Sequence, residues 1–258
     1  MTPLDEIKAL IAQKELFIFD LDGTLFNTLG DLAPAVNYAM KQFGLKTHSN
    51  DDVRTFIGNG SMNLIRRAVA ANYTGMENIR DIEKVAETLA RENYSEENIK
   101  EIHKVYSKYY WEHCTENTEP YKGVVELLQR ISNRAVFNRD KNHAGTRCAA
   151  MLTNKPVAPA QKILKKFGLE NSFATYLCGD TTPERKPSPA GIFEILRQTG
   201  IAPEKAIMIG DDTPDVLAAK NAGIDCITLF EGFGKAENLL PLEPRYTAGH
   251  IKDFAEFI

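Results

Sequence analysis

An α/β fold with a mainly parallel sheet and an inserted helical module is predicted by three observations. Short continuous apolar runs recur along the chain, each bounded by polar residues. Helical patterns of ten or so residues separate most of them. One long stretch, from 29 to 115, has helical periodicity and no strong strand run. An uninterrupted apolar run suits a strand buried on both faces. Strand and helix in alternation at this spacing point to parallel strands joined by right-handed crossovers.

The elements follow in order. Residues 3–14 form a short amphipathic helix, and Leu16-Phe17-Ile18-Phe19 is the first strand. Cys148-Ala149-Ala150-Met151-Leu152, Ala206-Ile207-Met208-Ile209 and Cys226-Ile227-Thr228-Leu229 repeat its signature. Helices are expected over 157–167, 189–198 and 215–222. Inside the inserted stretch they are expected over 32–43, 62–71, 82–90 and 99–113. The division is thus 1–28 with 116–258 as the sheet-bearing core and 29–115 as the helical module. An insertion after the first strand sits at the strand's C-terminal end, where open parallel sheets bind ligands, and such a module can serve as a lid. Residues 132–146, SNRAVFNRDKNHAGT, are polar and turn-rich. They read as an exposed loop or small hairpin whose basic residues, His143 among them, form a solvated surface.

Composition narrows the class. The 258 residues are 43% hydrophobic and 26% charged, ordinary globular values, with a formal net charge of −4 and no basic stripe of the kind nucleic-acid binders carry. No run approaches a membrane span, and MTPLDEIKALIAQKELF lacks the features of a secretory signal. Cys114, Cys148, Cys178 and Cys226 form no CxxC pair, so reduced, buried thiols in a cytoplasmic protein are expected. His48, His103, His113 and His250 fall at no metal-ligand spacing. Tyr109, Tyr110 and Trp111 sit at helical spacing and read as packing of the module.

Four segments carry chemistry, each at the exit of an apolar strand. Asp20-Leu21-Asp22-Gly23-Thr24 follows the first. Gly23 permits a sharp turn that brings Asp22 back beside Asp20, so one carboxylate can act as nucleophile and the other as general acid and base. Two such close carboxylates repel and call for a cation. A calcium loop is excluded: counted from Asp20, the positions that require Gly and Glu hold Leu25 and Asp31. Thr153-Asn154-Lys155 follows the second strand. The Thr153 hydroxyl and the backbone N–H groups after it can donate to a phosphate, though a Thr-Asn pair is also an ordinary helix cap. In Arg185-Lys186-Pro187 the proline holds Lys186 extended, a fixed cation suited to a phosphate and two aspartates. Gly210-Asp211-Asp212-Thr213-Pro214-Asp215 follows the third. Asp211 is the best direct ligand for a hard cation such as Mg²⁺. Asp215 sits in the first helical turn as an anion partner or water-mediated ligand, and Asp212 as a cap.

DLDGT, LTNK, KPSP and IGDDTPD, in that order, resemble the haloacid dehalogenase superfamily of hydrolases, and within it the phosphoglycolate phosphatase-type branch. Supporting features are Arg54 to Gly60, Ala218 to Gly223 and Phe230 to Gly234. The resemblance implies a Rossmann-like core with a helical cap, and a Mg²⁺-dependent phosphatase that works through an aspartyl-phosphate. Asp20 would attack phosphorus. Asp22 would protonate the leaving oxygen and then activate water. Thr153 and Lys186 would hold the phosphoryl oxygens, with Gly23, Thr24 and Asn154 in the phosphate-binding set. Mg²⁺ would be held by Asp20, the Asp22 backbone carbonyl and Asp211, with Asp215 in support. Gly58 and Asn59, in Gly58-Asn59-Gly60, form either a loop over the substrate or a plain turn between helices. Dehalogenases and phosphonatases of the family usually lack the second aspartate, so Asp22 favours phosphate esters. A sugar-phosphate mutase resembling β-phosphoglucomutase is the nearest rival. Pyrophosphatase and nucleotidase activities occur on similar scaffolds, and a non-enzymatic binding module is the remaining alternative. Phe26-Asn27 and Asp212 depart from common family residues, as does the length of 132–146, and none of these departures removes a catalytic group. The expected partner is a small phosphorylated metabolite, with neither nucleic acid nor membrane, in a monomer or homodimer.

Overall fold

The computed structural model describes residues 1–137, 147–182 and 184–258. In chain order, helix α1 (Leu4–Ala12) leads into strand β1 (Leu16–Phe19) and the short strand β2 (Phe26–Asn27). Five helices follow: α2 (Leu29–Gln42), α3 (Asn50–Phe56), α4 (Ser61–Ala70), α5 (Ile82–Arg91) and α6 (Glu96–His113). Then come β3 (Glu119–Pro120), α7 (Val124–Phe137), β4 (Cys148–Leu152), α8 (Val157–Lys166), β5 (Thr175–Leu177) and α9 (Ala190–Thr199). The chain closes with β6 (Ala206–Gly210), α10 (Thr213–Ala222), β7 (Asp225–Leu229), α11 (Ala236–Leu239) and β8 (Tyr246–Ala248). It divides into two compact units, Met1–Asn27 with Glu119–Ile258, and Thr28–Thr118.

The first unit is built on a six-stranded sheet of order β5-β4-β1-β6-β7-β8. Each neighbouring pair in it is parallel. β1 lies in the interior, so all four of its residues are buried, and alternate side chains enter different cores. Phe17 and Phe19 join Met151 of β4 and Ile207 and Ile209 of β6 under α1, α7 and α8. Leu16 and Ile18 join Ala150, Met208 and residues of α9 and α10 on the other face. This period-two division, with helices on both faces, explains why the strands read as unbroken apolar runs. Each such side chain contributes about 1.5–3 kcal/mol by leaving water. The antiparallel pair β2–β3 matches Phe26 with Pro120 and Asn27 with Glu119.

The second unit is helical around Leu32, Val36, Met40, Phe56, Ile65, Ile99 and Ile102. α3 starts with a reciprocal cap: Asp52 N donates to Ser49 Oγ, and Ser49 N donates to Asp52 Oδ2. Its last carbonyls are met by the buried Arg67 of α4, whose Nη1 donates to the carbonyl oxygens of Phe56 and Gly58. The buried Asp31 carboxylate accepts four hydrogen bonds, from the N–H and side-chain amide of Asn117 and from the N–H and hydroxyl of Thr118. It ties the first turn of the unit to its last residues. Tyr110 is buried and stacks on Tyr106, Tyr109 stacks on Tyr38, and Trp111 is exposed.

Some expectations change. Strands β5 and β8, the β2–β3 pair and helix α3 were not anticipated. α10 begins at Thr213, two residues earlier than expected. The segment 132–146 is not all loop: α7 continues through Phe137, and the remainder, with His143, lies outside the described residues. None of the four cysteines forms a disulfide. Cys114 and Cys178 are buried as expected, whereas Cys148 and Cys226 are half-buried. Among the described residues no helix is long and apolar enough to cross a membrane.

Candidate active site

Parallel strands end together, so the exits of β1, β4 and β6, adjacent in the sheet, deliver their following residues to one edge. Asp20 leaves β1 with its N–H donating to the Ile209 carbonyl of β6 at 3.0 Å. The turn after it closes through Gly23 N–H, which donates to the Phe26 carbonyl. Gly23 has φ +83°, and a Cβ there would run into the Asp211 carboxylate. Only glycine meets both demands.

Asp211 follows β6 and is almost wholly buried. The Thr24 hydroxyl donates to its Oδ1 at 2.5 Å, and the Phe233 and Gly234 N–H groups donate to its Oδ2 at 2.7 and 3.4 Å. The Phe230–Gly234 segment therefore wraps this carboxylate. A side chain at Gly232 or Gly234 would strike Asp211. Thr24, expected in the phosphate-binding set, spends its hydroxyl on Asp211.

Asp215 lies in the first turn of α10. Its Oδ2 accepts the N–H groups of Asp211 and Asp212, both at 3.1 Å, completing a reciprocal cap in which Asp212 is the capping residue. Its Oδ1 accepts from Lys186 Nζ at 2.6 Å. The same ammonium lies 2.8 Å from Asp20 Oδ1, so the buried Lys186 bridges two carboxylates. Burial works against its charge, but Asp20 and Asp215 together hold its pKa above the ordinary lysine value. Asn154 fixes the backbone that carries it: Oδ1 accepts Lys186 N–H and Nδ2 donates to Lys186 O, each at 3.0 Å. The side chain expected to bind phosphate is thus occupied in placing the lysine.

The Thr153 hydroxyl, buried at the end of β4, accepts the Lys155 N–H at 3.2 Å. Asp22 is met by Lys155, whose Nζ lies 2.8 and 3.1 Å from its two oxygens. Sequence reasoning did not single out Lys155. A lysine in a polar turn reads as solvated surface, and only the burial of this one reveals its role. Gly58 and Asn59 belong to the helical unit, in the turn from α3 to α4. Gly58, Asn59 and Gly60 all have positive φ, at 107°, 60° and 85°.

Oxygens of Asp20, Asp211 and Asp215 lie within 4.8 Å of one another. Burial first, then repulsion from neighbouring carboxylates, pushes Asp20 up to about 6 and Asp211 well above the usual carboxylate range, although Lys186 pulls Asp20 down. Three hard oxygen donors gathered against this electrostatic cost suit a divalent cation. Asp22, expected in the metal set through its backbone carbonyl, is not part of this side-chain cluster.

A parallel sheet whose strand ends gather carboxylates around a bridging lysine marks a protein of α/β architecture with its candidate chemistry at the strand ends. The family model described as haloacid dehalogenase-like hydrolase matches residues 17–229. The phosphoglycolate phosphatase of Psychrobacter arcticus is 32% identical over 231 residues, covering 90% of each chain. That of Colwellia psychrerythraea is 33% identical, covering 92% of this chain and 93% of its own. A crystal structure of a predicted phosphoglycolate phosphatase from Haemophilus somnus is similar at a TM-score of 0.76 with 29% identity, covering 95% and 97% of the two chains. The chain belongs to the haloacid dehalogenase-like hydrolases. It is a phosphoric monoester hydrolase.

Proposed function

We propose that this enzyme is a Mg²⁺-dependent phosphatase that hydrolyses phosphoglycolate, or a carboxylate-bearing phosphate ester close to it, through an aspartyl-phosphate on Asp20. The convergence of Asp20, Asp211 and Asp215 on one point beside Lys186 carries the reading. The substrate rests on the named activity of relatives that align over about nine-tenths of the chain.

On this reading Asp20, Asp211 and Asp215 hold Mg²⁺, which when bound neutralises charge on the phosphoryl oxygens. An Asp20 oxygen forms a bond to phosphorus while the ester P–O bond breaks. Asp22 gives its proton to the departing oxygen, releasing the alcohol. Asp22 then accepts a proton from a water that attacks the aspartyl-phosphate, releasing phosphate and restoring Asp20. Lys186 stays protonated and offsets phosphoryl charge, and the Thr153 hydroxyl donates to a phosphoryl oxygen. Asn154 keeps Lys186 in place. The protein acts as a monomer or homodimer in the cytoplasm.

The test is release of inorganic phosphate from phosphoglycolate, hexose phosphates, nucleoside monophosphates and pyrophosphate, with Mg²⁺ and with EDTA. Phosphoglycolate should have the highest kcat/KM, and chelation should abolish turnover. A preferred hexose phosphate or nucleotide would overturn the substrate. Turnover in EDTA would overturn the metal dependence, and conversion of hexose 1-phosphate to 6-phosphate would replace hydrolysis by mutase chemistry.

A further inference from the structure

We propose that Lys155 is a positioning residue for this reaction: its ammonium holds the Asp22 carboxyl in the orientation from which the proton passes to and from the reacting oxygens. The inference rests on Asp22 acting as acid and base in the reading above and goes beyond it in assigning a residue that the strand-end motifs left without a role.

Four observations carry it. The Lys155 side chain is 3% exposed, a rare condition for a lysine outside an ion pair. Its Nζ meets both Asp22 oxygens, at 2.8 and 3.1 Å, which fixes the direction in which the carboxyl group points. Its backbone is pinned on both sides: the N–H donates to the Thr153 hydroxyl, and the carbonyl accepts from the Gly179 N–H at 2.9 Å. Finally, Phe19 of β1 pairs with Met151 of β4, so the segments bearing Asp22 and Lys155 leave adjacent strands at the same end of the sheet. Asp22 sits in a tight turn and is 17% exposed, and the buried Lys155 ammonium draws its carboxyl group inward, toward the strand ends. Proton transfer demands a heavy-atom separation of about 2.6–3.2 Å in a defined direction, and a carboxyl free to turn spends little time there. Lys155 keeps its own proton throughout. In each cycle Asp22 loses one proton to the leaving oxygen and regains one from water.

A role through the acid has a signature that general structural support lacks. An alkoxide needs a proton as it departs, whereas p-nitrophenolate leaves without one. Lys155→Met should therefore lower kcat on an alkyl ester such as phosphoglycolate by about 100-fold and on p-nitrophenyl phosphate by less than about 10-fold, following the usual worth of general acid catalysis. Lys155→Arg should recover most of the alkyl-ester activity. In an Asp22→Asn background, Lys155→Met should cause no further selective loss, because the two act as a unit. Circular dichroism and thermal melting establish that each variant is folded. If Lys155→Met is not, Lys155→Gln, which keeps a donor without the charge, carries the same comparison. Equal losses on both substrates, or an Arg variant no better than Met, would overturn the assignment while leaving Asp22 in place. An Asp22→Asn variant with no dependence on the leaving group would overturn the acid–base reading and the Lys155 proposal together. Full activity in Asp20→Asn would overturn the covalent reading itself, an outcome separable from both.

Discussion

Asp20→Asn should stop turnover and at the same time make the metal-free protein more stable at neutral pH. The Asp20 side chain is 13% exposed and shares its surroundings with Asp211 and Asp215. Burial, outweighing the pull of Lys186 and aided by Asp215 and Asp22, raises its pKa from 3.8 to about 6. A carboxyl group whose folded value exceeds its unfolded one is bound to a proton more often when folded. Its favourable contribution is therefore fully present below about pH 4 and is lost as pH rises through about 6. At about 1.4 kcal/mol per pH unit, the interval from 3.8 to about 6 amounts to about 3 kcal/mol once ionisation is complete. Asparagine has nearly the same shape and no charge, so it escapes that cost. It also takes one of two anionic partners from Lys186, which offsets part of the gain. For a protein of this size 1 kcal/mol moves Tm by about 2–4 °C, so the variant should melt up to about 6–12 °C higher at pH 7.5. The difference should shrink to about 1 kcal/mol at pH 4.5, where most Asp20 is protonated even in the native protein. Calorimetry in EDTA at both pH values measures this directly. A variant that melts lower at pH 7.5, or a gap indifferent to pH, would refute the electrostatic account of the cluster. Saturating Mg²⁺ should narrow the gap, because the native carboxylate gains a partner that asparagine holds poorly.

Two other perturbations probe the supports of the site. Gly234→Ala puts a methyl group against the Asp211 backbone, which cannot give way, so Mg²⁺ affinity should fall about 10–100-fold with the sheet intact; an unchanged Mg²⁺ titration of activity would contradict the close approach. Asp31→Ala removes the acceptor of the buried Thr118 N–H and hydroxyl and of the Asn117 amide groups, and should cost about 3 kcal/mol in urea denaturation, a loss below about 1 kcal/mol showing that water replaces the carboxylate.

The elements legible in the sequence were those whose apolar pattern is uninterrupted. β1, β4, β6 and β7 are such runs because both faces of the sheet are covered. β5 and β8 are three residues each, Thr175-Tyr176-Leu177 and Tyr246-Thr247-Ala248, and lie at the sheet's edges, where half-exposed positions dilute the signal. α3 has only Val53 and Phe56 to show a buried face. Its Ser49–Asp52 capping pair was the signal available. Asp20, Asp22, Lys186, Asp211 and Asp215 were legible because each follows a strand run or, for Lys186, stands directly before a proline that holds it extended. The hydrogen-bond partners of Thr24 and Asn154 were not, because either polar side chain fits a phosphate as well as a protein partner. Lys155 was hidden for a related reason: its pairing with Asp22 joins positions 133 residues apart, and no local pattern encodes that.

The β2–β3 pair and the Asp31 staple give the inserted unit a further property. Asn27 is paired with Glu119 on the side of the sheet-bearing unit, while Asp31 grips Asn117 and Thr118 on the other. The chain thus departs and returns through one gate of neighbouring residues. To the sheet, the whole helical unit is equivalent to the turn of a hairpin. A unit joined in this way can be lengthened, shortened or replaced without altering the register of any strand that carries an aspartate. The sheet and its aspartates are thereby insulated from changes of length in the insertion.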